Sequence, residues 1–199
     1  MWMFTAVMLA AAYLLGSISF GLLIGKWFLG IDIREYGSGN AGATNLSRVM
    51  GTGPGIVVLL LDGLKGFVPV WLTLKVTGQP TAAMLVGLAA IVGHIWPVYF
   101  RFKGGKGVAT TIGVMLAMSF WATLIAGLLT VLIIAVSRYV SLGSLVFVSL
   151  MPWLLLFFDR GGMVFVMALA LTVLVFWTHR ENIRRLLRGQ ENRFGKRLR

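Results

Sequence analysis

The chain has no cysteine, two histidines and six acidic residues among its 199 positions. Without cysteine there is no disulfide, no thiolate nucleophile and no cysteine-ligated zinc. The histidines stand 85 positions apart, at 94 and 179, which argues against a zinc site. Six acids scattered from Asp32 to Glu191 cannot build the carboxylate cluster of a Mg²⁺-dependent phosphotransferase, so neither metal nor cofactor is expected. No G-x-S-x-G nucleophile elbow occurs. Neither histidine begins an H-x-x-x-x-D motif, which removes the soluble type of glycerolipid acyltransferase.

What is present is apolar and basic. Hydrophobic residues make up 58% of the chain, charged ones only 12%, and the mean hydropathy is +0.90. A soluble domain of this length needs far more charge at its surface, so the chain is an integral membrane protein. Eighteen Lys and Arg give a net charge of +12. They lie in short loops and a tail, which points to lipid headgroups and small anions rather than nucleic acid. No cation precedes the apolar run Met1–Gly25, and Lys26 follows it. That order describes an uncleaved first span with its N-terminus outside, not a removable signal peptide.

Crossing about 30 Å of hydrocarbon takes roughly 17–25 residues. Hydropathy places spans at about 4–26, 53–76, 81–99, 141–158 and 162–179. Residues 108–137 form a further apolar stretch, long for one helix and short for two. Cytoplasmic loops collect Lys and Arg, and this decides the count. A single crossing would put the tail, with eight cations from Arg180 to Arg199, outside. Two short helices, about 108–121 and 122–137, bring Lys26, Arg34, Arg48, Arg101, Lys103, Lys106, Arg138 and the tail to one side, leaving only Lys75 and Arg160 opposite. The expectation is an all-α polytopic membrane protein forming one domain over 1–199. It has seven transmembrane helices, two of them short, with the N-terminus outside and the C-terminus cytoplasmic. The short pair must thin the bilayer or lie buried in the bundle. The tail past Arg180 is expected to run on as a short interfacial helix, and the Gly21-x-x-x-Gly25 spacing permits close helix packing within one chain or between two.

Two inside loops carry the chemistry. The first runs from Tyr36 through Gly37-Ser-Gly-Asn-Ala-Gly42 to Arg48. It matches G-x-G-x-x-G in form but not in context, because no strand precedes it and no acid lies about twenty residues on. The physics of such a loop still applies. Its glycines admit an anion to backbone N–H groups, and a helix beginning near Ala43 favours negative charge at its start. Ser38, Asn40, Thr44 and Asn45 add donors and Arg48 a fixed cation. The second loop, Arg101-Phe-Lys-Gly-Gly-Lys-Gly107, is not a Walker A motif, since Gly107 stands where Ser or Thr is required. It offers glycines, two ammonium groups and a helix starting at Val108.

The remaining polar residues read as follows. Asp62 and Lys65, inside the second span, are spaced to pair structurally on one helix face. His94 reads as a packed, hydrogen-bonded histidine. His179 and Asn182 share a face where the last span meets the inside surface and together could bind one ligand. Ser144 lies on the same side.

Four blocks resemble the bacterial acyl-phosphate:glycerol-3-phosphate acyltransferase (PlsY) family: Gly16-Ser-Ile-Ser-Phe-Gly21; Gly37 to Arg48; Gly93-His-Ile-Trp-Pro97 running on through Lys103-Gly-Gly-Lys-Gly-Val-Ala-Thr110; and His179-Arg-Glu-Asn182 to Gly189. Ser19 and Ala41 replace prolines common in the family. The resemblance implies transfer of a fatty acyl group from acyl phosphate to the 1-hydroxyl of glycerol 3-phosphate. The products are lysophosphatidic acid and phosphate, the opening membrane step of phospholipid synthesis. It implies catalytic roles for His179, Asn182, Ser38 and Arg48. Glycerol 3-phosphate would meet Arg48, Lys106, Ser144, His179 and Asn182. Acyl phosphate would meet Ser38, Gly39, Asn40, Thr44, Asn45, Gly104, Gly105 and Gly107, with Glu191 a structural acid. The implied setting is the bacterial cytoplasmic (inner) membrane, with the active site on its cytoplasmic face. The implied partners are membrane lipid and, transiently, the enzyme that supplies acyl phosphate.

An acyl phosphate is already activated, so the enzyme need only position the alcohol, neutralise phosphates and stabilise the developing oxyanion. His179 is the one side chain of the set suited to be a base. Deprotonation by a substrate phosphate is the alternative, and the preferred one. The rival from another class is a transporter of a phosphorylated anion. It conflicts with recognition groups gathered on one side rather than around a midplane site.

Overall fold

The computed structural model describes residues 2–158 and 161–195. Arg160, one of the two cations expected outside, and the tail cations Lys196, Arg197 and Arg199 fall outside the described residues. The described chain holds ten α-helices: α1 (Trp2–Gly16), α2 (Phe20–Leu29), α3 (Ala43–Met50), α4 (Thr52–Thr77), α5 (Pro80–Ile95), α6 (Val108–Met118), α7 (Phe120–Ser137), α8 (Val140–Phe157), α9 (Met163–Thr178) and α10 (Arg180–Leu187).

Among the described residues, five stretches are long and apolar enough to cross a membrane: Trp2–Leu29, Thr52–Thr77, Pro80–Phe100, Phe120–Ser137 and Val140–Phe157. α9 passes the same test when joined to α10, from which it is bent by 64°. α6 is apolar but only 11 residues long, about 16 Å at helical rise. The stretch 108–137 is therefore two helices, as charge sidedness required. The division falls at Ser119 rather than after 121, and only α6 is short.

The first span is not the single helix expected over 4–26. Ser17, Ile18 and Ser19 interrupt it between α1 and α2. Ser17 Oγ turns back to donate to the Tyr13 carbonyl at 2.9 Å, the kind of local bond through which serine competes with helix continuation. The interruption frees the Ile18 carbonyl, which accepts from Lys65 Nζ at 2.6 Å.

Small residues let the helices approach one another, as is usual where lipid removes the hydrophobic drive between helices. A methyl group on Gly113 of α6 would lie 1.9 Å from the Gly63 carbonyl oxygen of α4. One on Gly93 of α5 would lie 2.2 Å from the Tyr13 carbonyl oxygen of α1. Gly21 and Gly25 pack within this chain, against the Ala41 carbonyl and the Ile33 side chain of the first loop. The main core, including Val70, Met84, Ile91, Met115, Phe147 and Leu171, is walled by α4, α5, α6, α8 and α9. The large apolar side chains of α7 away from the bundle, such as Leu128 and Leu132, are exposed, as a lipid-facing helix requires.

Candidate active site

The first loop is braced from within. Asn45, in the first turn of α3, is buried. Its Oδ1 accepts from the Ser38 N–H at 2.7 Å and from Ser38 Oγ at 3.1 Å. Its Nδ2 donates to the carbonyls of Ile33 at 2.8 Å and Tyr36 at 3.1 Å. Gly37 (φ +62) must be glycine twice over, because its backbone is left-handed and a methyl group there would lie 2.4 Å from Asn45 Oδ1. Asn40 Oδ1 accepts from the Gly42 N–H at 2.9 Å. Asn45 is thus committed to the loop rather than offered to a ligand, which revises its expected role.

The second loop folds back on α5. The N–H groups of Gly104 and Gly105 donate to the carbonyls of Ile95 and His94, both at 3.1 Å. These two N–H groups hold the loop in place and are not free to cradle a phosphate, contrary to the expectation from the motif. Arg34, whose guanidinium is paired with Asp32 at 2.6 Å, ties the loops together by donating to the Lys103 carbonyl at 2.9 Å. This pairing holds the Asp32 carboxyl below its ordinary pKa and the Arg34 guanidinium above its own.

Both loops open on a cavity of about 410 Å³. Of the residues singled out from sequence, Ser38, Asn40, Thr44, Asn45, Arg48, Lys106, Ser144, His179 and Asn182 line it. Gly39, Gly104, Gly105 and Gly107 do not, because they shape the backbone behind the wall. The cavity continues as an apolar groove past Ile56 and Leu59 of α4, Ile112 of α6, Val131 and Ile134 of α7, and Phe147 of α8.

A carboxylate organises the polar end. Glu191 Oε1 accepts from Asn182 Nδ2 at 2.7 Å and from Ser141 Oγ at 3.1 Å, and Oε2 accepts from Arg185 Nε at 2.9 Å. Asn182 Oδ1 in turn accepts from Lys106 Nζ. Arg48 reaches the Asn192 carbonyl at 3.4 Å, while its buried Nε has no hydrogen-bond partner among the described residues. Arg48, Lys106 and Arg185 around the single Glu191 leave an excess of two positive charges, the complement of one phosphate dianion. Burial lowers the pKa of Arg48 and pushes that of Lys106 down to about 8, against the pull of Glu191. Glu191 had entered only as a structural acid. Ser141 and the Asn192 carbonyl were missed, and their one sequence signal was an isolated Glu in a basic tail.

His179 ends α9 and is buried. Its Nδ1 lies 2.8 Å from the Val175 carbonyl oxygen. A carbonyl only accepts, so Nδ1 carries the proton and Nε2 keeps a free lone pair. Burial, followed by the Lys106 charge, depresses the imidazole to about 4, so it is neutral at physiological pH. Among the described residues no three His, Asp or Glu side chains cluster as metal ligands. Ser144 Oγ donates to the Val140 carbonyl at 2.9 Å and presents its oxygen at the wall.

Residues 6–189 match the glycerol-3-phosphate acyltransferase family. The chain belongs to that family. A glycerol-3-phosphate acyltransferase of Shouchella clausii is 50% identical over 190 residues, 92% of this chain and 93% of that protein. One of Halalkalibacterium halodurans is 47% identical over 196 residues, 96% and 95% of the two chains. The fold also matches crystal structures of PlsY, an integral membrane glycerol 3-phosphate acyltransferase. For its glycerol 3-phosphate form the TM-score is 0.92 at 43% identity, covering 96% of each chain. For its lysophosphatidic acid form the TM-score is 0.89 at 43% identity, covering 96% of this chain and 95% of that one. As a family member of this fold, the chain is a multi-pass integral membrane protein.

Proposed function

We infer that this protein is a membrane glycerol-3-phosphate acyltransferase that makes lysophosphatidic acid, and that its acyl donor is acyl phosphate. The observation that carries the reading is one cavity with two ends. Arg48, Lys106, Asn182 and His179 converge at the polar end, and an apolar groove between α4, α6, α7 and α8 leads away from it. A phosphorylated polyol fits the first and a fatty chain the second.

Lys106 and Arg48 clamp the phosphate of glycerol 3-phosphate. His179 Nε2 accepts from the 1-hydroxyl and Ser144 lies alongside. Ser38, Asn40 and the start of α3 at Ala43 and Thr44 face the acyl phosphate. The hydroxyl oxygen attacks the acyl carbon, the bond from that carbon to the phosphate oxygen breaks, and the hydroxyl proton leaves on phosphate. Burial and the Lys106 charge hold His179 neutral and weakly basic, which favours passage of the proton to a substrate phosphate, with His179 orienting the acceptor.

Each basic loop is tied to the cavity region: Arg34 to the second loop, Lys106 to Asn182, and Arg138 to the backbone of Phe194. This supports a one-domain reading and a single cytoplasmic face. We take α6 as a short crossing, which gives seven spans with the N-terminus outside, in the bacterial inner membrane. That face would also receive acyl phosphate from the enzyme that supplies it.

The test is purified protein given radiolabelled glycerol 3-phosphate with acyl phosphate, acyl-CoA or acyl carrier protein donors. Lysophosphatidic acid forming only with acyl phosphate is expected. Acylation from acyl-CoA alone would reject the donor, and glycerol 3-phosphate flux into liposomes without acylation would reject the enzyme.

A further inference from the structure

Three ionisable side chains lie inside the bundle, Asp62 and His94 at the cavity wall and Lys65 paired with Asp62, and the reaction as described uses none of them. Asp62 and Lys65 of α4 are 1% and 3% exposed and His94 of α5 is 5% exposed. Ionisable groups at such depth are expensive and mark function more often than stability. A buried ion pair kept only for stability is commonly replaceable by apolar residues without loss.

The three are connected in sequence. Lys65 Nζ lies 2.7 Å from Asp62 Oδ1 and donates to the Ile18 carbonyl at 2.6 Å. Asp62 Oδ1 lies 3.7 Å from His94 Nδ1. The opposite edge of the His94 ring faces the second loop, where a methyl group on Gly105 would lie 2.1 Å from Nε2. A methyl group on Gly104 would lie 2.1 Å from the His94 carbonyl oxygen.

The backbone explains why glycine stands at these two positions. Neither Gly104 nor Gly105 has a positive φ, whereas Arg101 and Phe102 just before them do. Glycine at 104 and 105 is therefore required by space, taken at 104 by the His94 carbonyl and the Pro97 ring and at 105 by the His94 imidazole. Their N–H groups are already committed to the end of α5. The next residue is Lys106, whose carbonyl accepts from Thr178 Oγ1 at 3.2 Å and whose ammonium reaches Asn182. The Gly-Gly turn is thus clamped between α5 and α9 with an imidazole for its floor.

We propose that His94, aligned by the Asp62–Lys65 pair, is a positioning residue for glycerol 3-phosphate: it sets the height of the Gly104–Gly105 turn and so the reach of Lys106. The proposal rests on the reading that Lys106 holds the acceptor phosphate. A displacement of about 1 Å at such a clamp costs up to roughly a hundredfold.

The experiment compares the purified full chain with His94→Ala, Gly105→Ala and their double variant, alongside Lys106→Ala. Each is assayed for the KM of glycerol 3-phosphate and for kcat at saturating acyl phosphate, with thermal unfolding in detergent as the folding control. His94→Ala and Gly105→Ala should each raise KM about tenfold or more while kcat stays within about threefold. The double variant, where the methyl group enters the space the ring vacated, should have a KM at least about fivefold below the product of the two single effects. His94→Gln, which refills most of that space, should restore KM to within a few-fold and serves if His94→Ala does not fold. An unchanged KM in a folded His94→Ala, or two effects that simply multiply, overturns the proposal. If Lys106→Ala leaves KM unchanged, the assignment of Lys106 fails instead, and the two failures are told apart.

Discussion

The two loops look alike in sequence, each a short glycine-rich run that carries cations, yet they are built in opposite ways. The first is held by a side chain that follows it, with Asn45 of α3 reaching back to Ser38, Ile33 and Tyr36. The second is held by main chain that precedes it, the carbonyls of His94 and Ile95 at the end of α5. Glycine's tasks differ from position to position. Gly37 supplies a left-handed backbone as well as clearance, whereas Gly104 and Gly105 supply clearance alone. A glycine-rich loop beside cations is therefore not one device. Here the first loop presents a polar wall and the second presents a single ammonium.

The sharpest way to break the comparison is to remove that ammonium. Lys106→Ala should lower kcat/KM for glycerol 3-phosphate by about a hundredfold, as the loss of a charge-assisted contact to phosphate implies, with the thermal midpoint nearly unchanged. Asn45→Ala should do the reverse. It leaves the Ser38 N–H and two carbonyls unpaired, costing about 3 kcal/mol and lowering the thermal midpoint of the detergent-solubilised protein, with a loss of activity of about tenfold. Asn45→Asp, which sets a buried carboxylate oxygen against the Ile33 and Tyr36 carbonyls in place of their donor, should destabilise at least as much as Asn45→Ala.

A third prediction concerns pH. Lys106 is depressed to about 8, so it is charged below that pH and neutral above it. The logarithm of kcat/KM for glycerol 3-phosphate should bend downward above about pH 8, while kcat, which reports the bound complex, should hold to higher pH because the bound phosphate stabilises the ammonium. Lys106→Arg should remove the bend. The smallest effect belongs to the tie between the loops. Arg34→Gln removes a partly exposed pair and should raise KM only about threefold, in line with the modest worth of such pairs. An Arg34→Gln effect as large as that of Lys106→Ala would mean the loops act as one unit, and the contrast drawn above would be lost.

Much of this was legible beforehand, for physical reasons. The helix order followed from hydropathy. The division of 108–137 followed from the charge on the tail, because a tail that basic cannot be placed outside without cost. His179, Asn182, Arg48 and Lys106 were legible because each joins charge or hydrogen-bonding capacity to a place beside a span. The break at Ser17–Ser19 was not, since serine is tolerated in many apolar helices and what settles it here is a tertiary contact, Lys65 on the Ile18 carbonyl. The commitment of Asn45 and of the Gly104 and Gly105 N–H groups to internal bonds was not legible either. A motif shows which donors exist but not which of them the fold has already used. Asp62 and Lys65 were read as a structural pair, and they do pair at 2.7 Å. Their approach to His94 depends on how α4 meets α5, which spacing along one helix does not report.

The pocket's organising carboxylate, Glu191, and the carbonyl of Asn192 that meets Arg48 both come after α9 and α10. In a chain synthesised from its N-terminus, those two residues are made after every apolar helix. Up to that moment Lys106 and Arg48 are present without the groups that aim them. The polar end of the cavity is therefore closed by the last part of the site to be made, and removing the chain after α10 should leave the helices in place and the cations without their aim.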